Sequence, residues 1–156
     1  MGKSKYTLAQ VAKTIDSALL KPEMTLDEVI AGCQMAMKYH VASVCCRPAD
    51  VALCAAQLKG SDVLVGTVVG FPHGSSATAT KVFETELAVK DGAVEIDMVI
   101  NVDLLKRGSV QAVEDDIAAV VETAGEVPVK VILETCLLTD AEKIMACDLC
   151  VDAGVA

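Results

Sequence analysis

The strongest constraint on the fold is a regular alternation of two hydrophobic periodicities along the chain. Short apolar segments, typical of strands, alternate with longer amphipathic segments, typical of helices. After a leading helix at 7–15, the pattern predicts strands at 15–20, 42–48, 62–72, 93–102 and 127–135. It predicts helices after these strands at 25–40, 48–60, 75–92, 104–125 and 139–154. Repeated βα units with short loops indicate a parallel sheet covered by helices.

Two architectures satisfy this pattern. An open doubly wound sheet fits five βα units by count, whereas a closed (β/α)₈ barrel needs eight units and typically about 250 residues. The 156 residues contain no linker and no shift in composition, so we expect a single domain over 1–156. Aromatic residues make up only 3% of the chain, and the aliphatic core that remains suits a parallel sheet.

Charge and hydropathy exclude several classes of partner. The formal net charge of −9 makes nucleic acid and anionic membranes unfavourable partners. No apolar run reaches the roughly 18 residues that a membrane span needs. The N-terminal segment 1–10 lacks the apolar stretch of a signal peptide. We therefore expect a cytoplasmic protein that contacts neither nucleic acid nor membrane.

The cysteines indicate free thiols. Their number, seven, is odd, which argues against a disulfide framework. Cys147 and Cys150 form a C-x-x-C pair within a helical pattern, without a histidine or a second pair nearby. A zinc site normally needs four such ligands. We expect no metal.

A charged residue inside an apolar strand is the first candidate for chemistry. In the strand around 94–102, Ile96, Met98 and Ile100 share one face, and Glu95, Asp97 and Val99 share the other. Burying an unpaired carboxylate costs much free energy. Asp97 is therefore either a paired structural residue or, in a barrel, a residue that faces the active site.

The strand at 127–135 repeats this pattern with a lysine. Lys130, Ile132 and Glu134 are expected on one face. An ion pair between Lys130 and Asp97 across adjacent strands is the favoured interpretation. The alternative is a desolvated lysine of lowered pKa that acts as a nucleophile or proton shuttle. Asp16 and Cys45 add a carboxylate and a thiol to other strands.

Five segments together resemble the deoxyribose-phosphate aldolase family, in the family's order and spacing. IDSALLKP is similar to the family's Ile-Asp-His-Thr-Leu-Leu-Lys-Pro, and SVCCRPADV to its Ser-Val-Cys-Val-Asn-Pro segment. VGTVVGFPHG, ATKVFETELAVKDGAVEIDMVINVDLLKRG and VKVILETCLLTDAEK resemble consecutive family blocks. The resemblance extends over nearly all of 14–156.

This resemblance implies a (β/α)₈ TIM barrel, of which the chain covers a leading helix and about five βα units. It implies a class I aldolase that reversibly cleaves 2-deoxy-D-ribose 5-phosphate to D-glyceraldehyde 3-phosphate and acetaldehyde through a lysine Schiff base. The phosphorylated sugar and acetaldehyde are then the small-molecule partners, with no cofactor and no metal. Asp97 matches the family's proton-transferring aspartate, Asp16 a rim aspartate and Cys45 a strand-two cysteine. Lys130 matches an interior lysine that is not the Schiff-base residue.

The chain departs from the family pattern at its end and at two shorter places. In the family, the segment matching DAGVA continues into Phe-Val-Lys-Thr-Ser-Thr-Gly, whose lysine forms the Schiff base, whereas this chain ends at Ala156. Strands six to eight, both catalytic lysines and the phosphate-binding loops are thus expected outside these residues. Ser17-Ala18 replaces His-Thr, and Cys46-Arg47 replaces Val-Asn.

Several interpretations of this ending stay open. The residues are part of an ordinary enzyme, which as a complete chain is expected to be a homo-oligomer. Alternatively, they are a truncated product, inert or completed by another chain. A third interpretation is a non-catalytic binding module that associates through its open sheet edge. A fourth makes Lys130 the imine-forming lysine.

Overall fold

The computed structural model describes residues 5–156, so Met1–Ser4 of the N-terminal segment lie outside the described residues. Five parallel strands form one sheet in the order β1-β2-β3-β4-β5. The strands are β1 (Asp16–Leu19), β2 (Ser43–Cys46), β3 (Leu64–Val69), β4 (Glu95–Val99) and β5 (Val129–Ile132). The helices are α1 (Leu8–Ala12), α2 (Leu26–Tyr39), α3 (Val51–Leu58), α4 (Thr78–Asp91), α5 (Val102–Lys106), α6 (Val110–Ala124) and α7 (Asp140–Asp152). Two 3₁₀ turns occupy Pro48–Asp50 and Thr135–Leu137.

The predicted order of strands and helices is confirmed, with three corrections. The single helix predicted at 104–125 is two helices, which are separated by Gly108 at φ 71°. The helix predicted from Pro48 begins as a 3₁₀ turn. The strand predicted to run through Glu134 ends at Ile132, because Glu134 adopts a left-handed conformation with φ 54° and a 3₁₀ turn follows. Glu134 therefore does not belong to the strand face of Lys130.

Local sequence signals fix several helix ends. Capping boxes begin α2 and α7: Thr25 pairs with Glu28, and Thr139 with Glu142. In each box the threonine hydroxyl accepts the N3 amide and the glutamate accepts the N-cap amide, which satisfies two donors that the helix itself leaves free. Gly92 ends α4 in the left-handed region at φ 105°.

The hydrophobic core lies between the sheet and the helices. Ile96, Met98 and Ile100 are all fully buried in it, which confirms the predicted apolar face of β4. Strand order follows chain order without a reversal, and each crossover is expected to be right-handed. Successive crossovers in one direction place the helices that connect the strands on the same face of the sheet. The doubly wound alternative, which requires a reversal and helices on both faces, is therefore wrong.

The sheet curves strongly around its helix-free face. In a flat sheet, β1 and β5 lie about 19 Å apart, because neighbouring strands are spaced by about 4.8 Å. Yet Lys130 Nζ on β5 lies 2.9 Å from Asp16 Oδ2 on β1. Such a contact requires the five strands to bend into part of a barrel.

Among residues 5–156, no helix is long and apolar enough to cross a membrane.

Candidate active site

A cluster of three carboxylates and one lysine lies on the concave face of the sheet. Lys130 Nζ is 2.9 Å from Asp16 Oδ2, 2.9 Å from Glu95 Oε1 and 3.1 Å from Asp97 Oδ1. The exposed fraction of the side chain is 40% for Lys130 but only 19% for Glu95 and 16% for Asp97. We call these four residues the Lys130 cluster.

The parallel register explains why these side chains meet. Asp97 and Lys130 are directly paired positions on β4 and β5, and Glu95 lies two residues before Asp97 on the same face. The ion pair between Asp97 and Lys130 that the sequence predicts is thus confirmed. Asp16 reaches the cluster from the opposite edge of the sheet, which only the curvature permits.

The cluster holds more negative than positive charge. Burial by itself lowers the pKa of Lys130, but the close contacts with the carboxylates of Glu95, Asp16 and Asp97 outweigh burial and raise that pKa above its usual value. The alternative interpretation of Lys130 as a desolvated lysine with a lowered pKa is therefore wrong. Counted formally, one lysine and three acidic side chains give the cluster a charge of −2. This environment stabilises a cation and disfavours a free amine.

Asp16 is held in its charged form by two donors. Its Oδ1 accepts a hydrogen bond of 2.7 Å from the Ser43 hydroxyl, and Ser43 is its directly paired neighbour on β2. The hydrogen bonds from Lys130 and Ser43 lower the pKa of Asp16. Asp16 is therefore an ionised, oriented carboxylate at the edge of the cluster.

Cys45 brings a thiol next to Asp97 from β2. Its Sγ donates to Asp97 Oδ2 over 3.6 Å. Burial, followed by the charge of Asp97, raises the pKa of the Cys45 thiol to about 12. Cys45 is therefore a neutral hydrogen-bond donor that orients Asp97, and its thiol is not activated as a nucleophile.

A cavity of about 160 Å³ opens beyond the C-terminal ends of β3, β4 and β5. This end of the sheet is where (β/α)₈ enzymes place their chemistry. Val99, two residues beyond Asp97 on the same strand, forms part of its wall. The other lining residues are Pro72, His73, Val102, Glu134, Cys136 and Leu137.

The structure places all four predicted site residues around one point and adds a fifth. Asp16, Cys45, Asp97 and Lys130 meet as described, and Glu95 joins them. Sequence reasoning placed Glu95 on the correct face but gave it no role, although its spacing of two residues from Asp97 was the available signal. Within residues 5–156, no group of three or more metal-binding side chains has the arrangement of a metal site. All seven cysteines are free thiols.

Comparisons with known proteins agree on one family. A family model described as DeoC/LacD family aldolase matches residues 8–153. The chain is 54% identical over 145 residues to a deoxyribose-phosphate aldolase of Streptococcus equi subsp. zooepidemicus, covering 93% of this chain and 66% of that relative. It is 53% identical over 145 residues to the protein of the same name from Bacillus mycoides, covering 92% and 65%.

Two solved structures are similar over most of the chain. A deoxyribose phosphate aldolase from Aeropyrum pernix, described as a tetramer, matches with a TM-score of 0.89 at 27% identity, covering 96% of this chain and 63% of that one. A protein described as QR15, an aldolase, matches with a TM-score of 0.89 at 32% identity, covering 93% and 65%. The chain thus spans slightly less than two thirds of the length of these relatives.

Proposed function

The chain belongs to the DeoC/LacD family of aldolases, and on that premise we propose that it functions as a deoxyribose-phosphate aldolase. The proposed reaction is the reversible cleavage of 2-deoxy-D-ribose 5-phosphate to D-glyceraldehyde 3-phosphate and acetaldehyde, in deoxyribonucleoside catabolism. The observation that carries the proposal is the 54% identity to the Streptococcus equi relative of that name. The Lys130 cluster supports it independently of that name, because it holds Asp97 on the concave face of the sheet, two residues before Val99 in the wall of the cavity.

Asp97 is the proposed proton donor and acceptor of this chain. Its carboxylate is mostly buried, and it faces both a thiol donor and an ammonium. Forming a lysine Schiff base requires that a carbonyl oxygen be protonated and lost as water, and carbon–carbon cleavage requires that a hydroxyl proton be removed. A carboxylate held at a fixed position on the concave face can serve both transfers.

Lys130 has a supporting role in this proposal. Its raised pKa keeps it as an ammonium, which cannot attack a carbonyl. It instead holds Asp16, Glu95 and Asp97 together and offsets part of their mutual repulsion. The proposed Schiff-base lysine belongs to the family segment Phe-Val-Lys-Thr-Ser-Thr-Gly, which follows the stretch that this chain matches. Phosphate binding is likewise proposed for later segments.

The proposal extends to partners and location. The phosphorylated sugar and acetaldehyde are the proposed ligands, and the complete protein is proposed to be a cytoplasmic homo-oligomer. The tetrameric description of the Aeropyrum pernix protein supports oligomerisation in the family. The non-catalytic binding module receives no support from the relatives, which share the aldolase name.

Acetaldehyde trapping on two proteins tests this function. The first is the 156-residue chain. The second joins these residues to the remaining third of the Streptococcus equi relative. Each is incubated with acetaldehyde, reduced with borohydride and mapped by mass spectrometry, and cleavage of the sugar phosphate is followed by acetaldehyde release. We expect an adduct and turnover only in the joined protein, with the adduct on a lysine outside 1–156.

Two outcomes contradict parts of the proposal. A folded joined protein that neither forms an adduct nor cleaves the sugar, beside an active parent relative, means that residues 1–156 do not supply a working half of the site. An adduct on Lys130 in the 156-residue chain assigns imine chemistry to that residue instead. The joined protein with Lys130→Met distinguishes adducts on the two lysines.

A further inference from the structure

A second charged pair lies on the opposite side of the sheet, in the helix layer. Lys81 on α4 is fully buried, and its Nζ contacts Asp116 Oδ2 on α6 at 2.5 Å. Asp116 Oδ1 accepts a hydrogen bond of 2.7 Å from the Thr78 hydroxyl. Both carboxylate oxygens are thus satisfied, and neither charge reaches solvent.

Such a pair is a poor device for stability alone. Removing two charges from water is costly, and well-packed apolar residues of similar volume often stabilise a protein equally well. A buried pair with complete hydrogen bonding instead fixes one arrangement of the groups around it. The other hydrogen bonds of Lys81 identify the groups that its pair with Asp116 holds in place.

The second contact of Lys81 Nζ is with the backbone of β4. Its Nζ donates to the carbonyl oxygen of Val99 over 3.0 Å. Val99 is the last residue of β4, and the ladder between β3 and β4 ends one residue earlier, at the pair of Val69 and Met98. Lys81 therefore supplies a donor to a carbonyl just beyond the end of that ladder.

The same helix also holds the end of β3. The Gly70 amide donates to Glu84 Oε2 over 2.8 Å, and a Cβ on Gly70 would lie 2.8 Å from Lys81 Cε. Only glycine permits this close approach of backbone and lysine stem. Lys81 and Glu84 are three residues apart on α4 and so lie on one helix face. Together they fix the C-terminal ends of the two strands beside the cavity.

We propose that Lys81 is a positioning residue for the reaction: through Val99 it sets the C-terminal end of β4, and with it the Asp97 and Glu95 carboxylates that surround Lys130. The reaction meant here is the proposed aldolase reaction, so the inference rests on the proposed function. The contacts of Lys81 with Asp116 and Val99 do not depend on that function. Two of the three carboxylates of the Lys130 cluster are on β4, within four residues of the carbonyl that Lys81 binds.

Competitive amine labelling of the chain tests the positioning role without requiring aldolase activity. The labelling rate of Lys130 at fixed pH, relative to exposed Lys59, reports the fraction of free amine. In the double variant Lys81→Met/Asp116→Leu, which leaves net charge unchanged, the carboxylates move and the pKa of Lys130 falls. The relative rate then rises about tenfold for each pKa unit lost.

A matched control removes another charge pair close to β4. Asp103 on α5 and Arg107 directly after it form an exposed pair, and the variant Arg107→Met/Asp103→Asn also leaves net charge unchanged. This control is expected to label Lys130 at the rate of the unmodified chain. Asp116→Asn, a nearly isosteric change, provides a second variant. Like the double variant, it is expected to raise the labelling rate of Lys130 relative to Lys59.

Each outcome either supports or overturns the positioning role of Lys81. Folded Lys81 and Asp116 variants that label Lys130 at the unmodified rate overturn the proposal. Loss of folded protein in both variants also overturns it, because the pair then serves stability. A null result in the sugar-cleavage assay leaves the labelling result intact, so failure of the proposed function and failure of the positioning role are distinguishable.

Discussion

Replacing Lys130 with methionine removes the single cation that three carboxylates share. Asp16, Glu95 and Asp97 lose partners at 2.9, 2.9 and 3.1 Å, and they remain next to one another on the concave face. Methionine retains most of the apolar stem of lysine. The change therefore isolates the charge, and we expect the variant to be less stable at neutral pH because the carboxylates repel one another.

The exposure of the cluster sets the size of this effect. An exposed ion pair contributes about 0–1 kcal/mol, whereas breaking a fully buried pair costs about 3–5 kcal/mol. With Lys130 40% exposed and two carboxylates below 20%, the cluster lies between these limits. We expect a loss of about 2 kcal/mol, which lowers the urea midpoint by about 1 M for a denaturant slope near 2 kcal/mol/M.

The pH dependence of the loss identifies its cause. The pKa of Asp16 is lowered from 3.8 in the folded chain, so its contribution is present above pH 3.8 and is lost as pH falls through the folded value. The pKa of Lys130 is raised from 10.5, so its contribution is full below pH 10.5 and is lost only as pH rises through the folded value. The difference in free energy of unfolding between the two proteins is therefore largest between pH 3.8 and pH 10.5, and it becomes smaller in acid.

Urea denaturation of both proteins at pH 7 and in mild acid measures the effect. Lys143→Met is the matched control, because its partner Asp140 is 95% exposed and the expected loss is within about 0.5 kcal/mol. A Lys130 variant as stable as this control refutes the argument. A loss that persists unchanged after the carboxylates are protonated refutes it equally, since packing then explains the effect.

Three further outcomes are expected. In the joined protein, Asp97→Asn lowers kcat by about 10²–10⁴-fold while the fold is retained, as steady-state kinetics and circular dichroism would show; unchanged kcat contradicts the proton-transfer role. Gly74→Ala destabilises the chain far more than Gly125→Ala in urea denaturation: both glycines have positive φ, but only at Gly74 does a new Cβ collide with backbone. At pH 8, iodoacetamide is expected to modify the exposed Cys147 within minutes and to leave Cys45 unmodified, because Cys45 is buried and burial raises the pKa of its thiol to about 12. Equal modification rates of the two cysteines, measured by mass spectrometry, would contradict the burial of Cys45.

Local signals predicted the order of strands and helices well. The alternation of Ile96, Asp97 and Met98 correctly assigned the two faces of β4, and the predicted helix starts at 25 and 139 coincide with the N-cap residues of α2 and α7. Strand ends were less predictable, since apolar residues continue past the point where the ladder stops. Glu134 illustrates the difficulty: its spacing from Lys130 fits a strand, but its left-handed backbone ends the strand before it.

The site was only partly predictable, because part of it depends on the curvature of the whole sheet. The pairing of Asp97 with Lys130 follows from neighbouring strands, and sequence reasoning found it. The contact of Asp16 with Lys130 joins opposite edges of the sheet and has no local signal. Lys81 and Asp116 were missed for a related reason: each is one of several charged residues on an amphipathic helix, where a solvated position is the ordinary expectation.

The span of the Lys130 cluster has a consequence for how the chain folds. Asp16 and Lys130 are 114 residues apart in sequence, so their contact belongs to the slow, non-local class of folding events. During synthesis, Asp16, Glu95 and Asp97 all leave the ribosome before Lys130. An intermediate with only the first four strands thus carries three carboxylates without the Lys130 ammonium. Repulsion among these carboxylates destabilises the concave face of the intermediate. Docking of the fifth strand supplies the missing cation, so the Lys130 cluster stabilises the five-stranded sheet relative to the four-stranded intermediate.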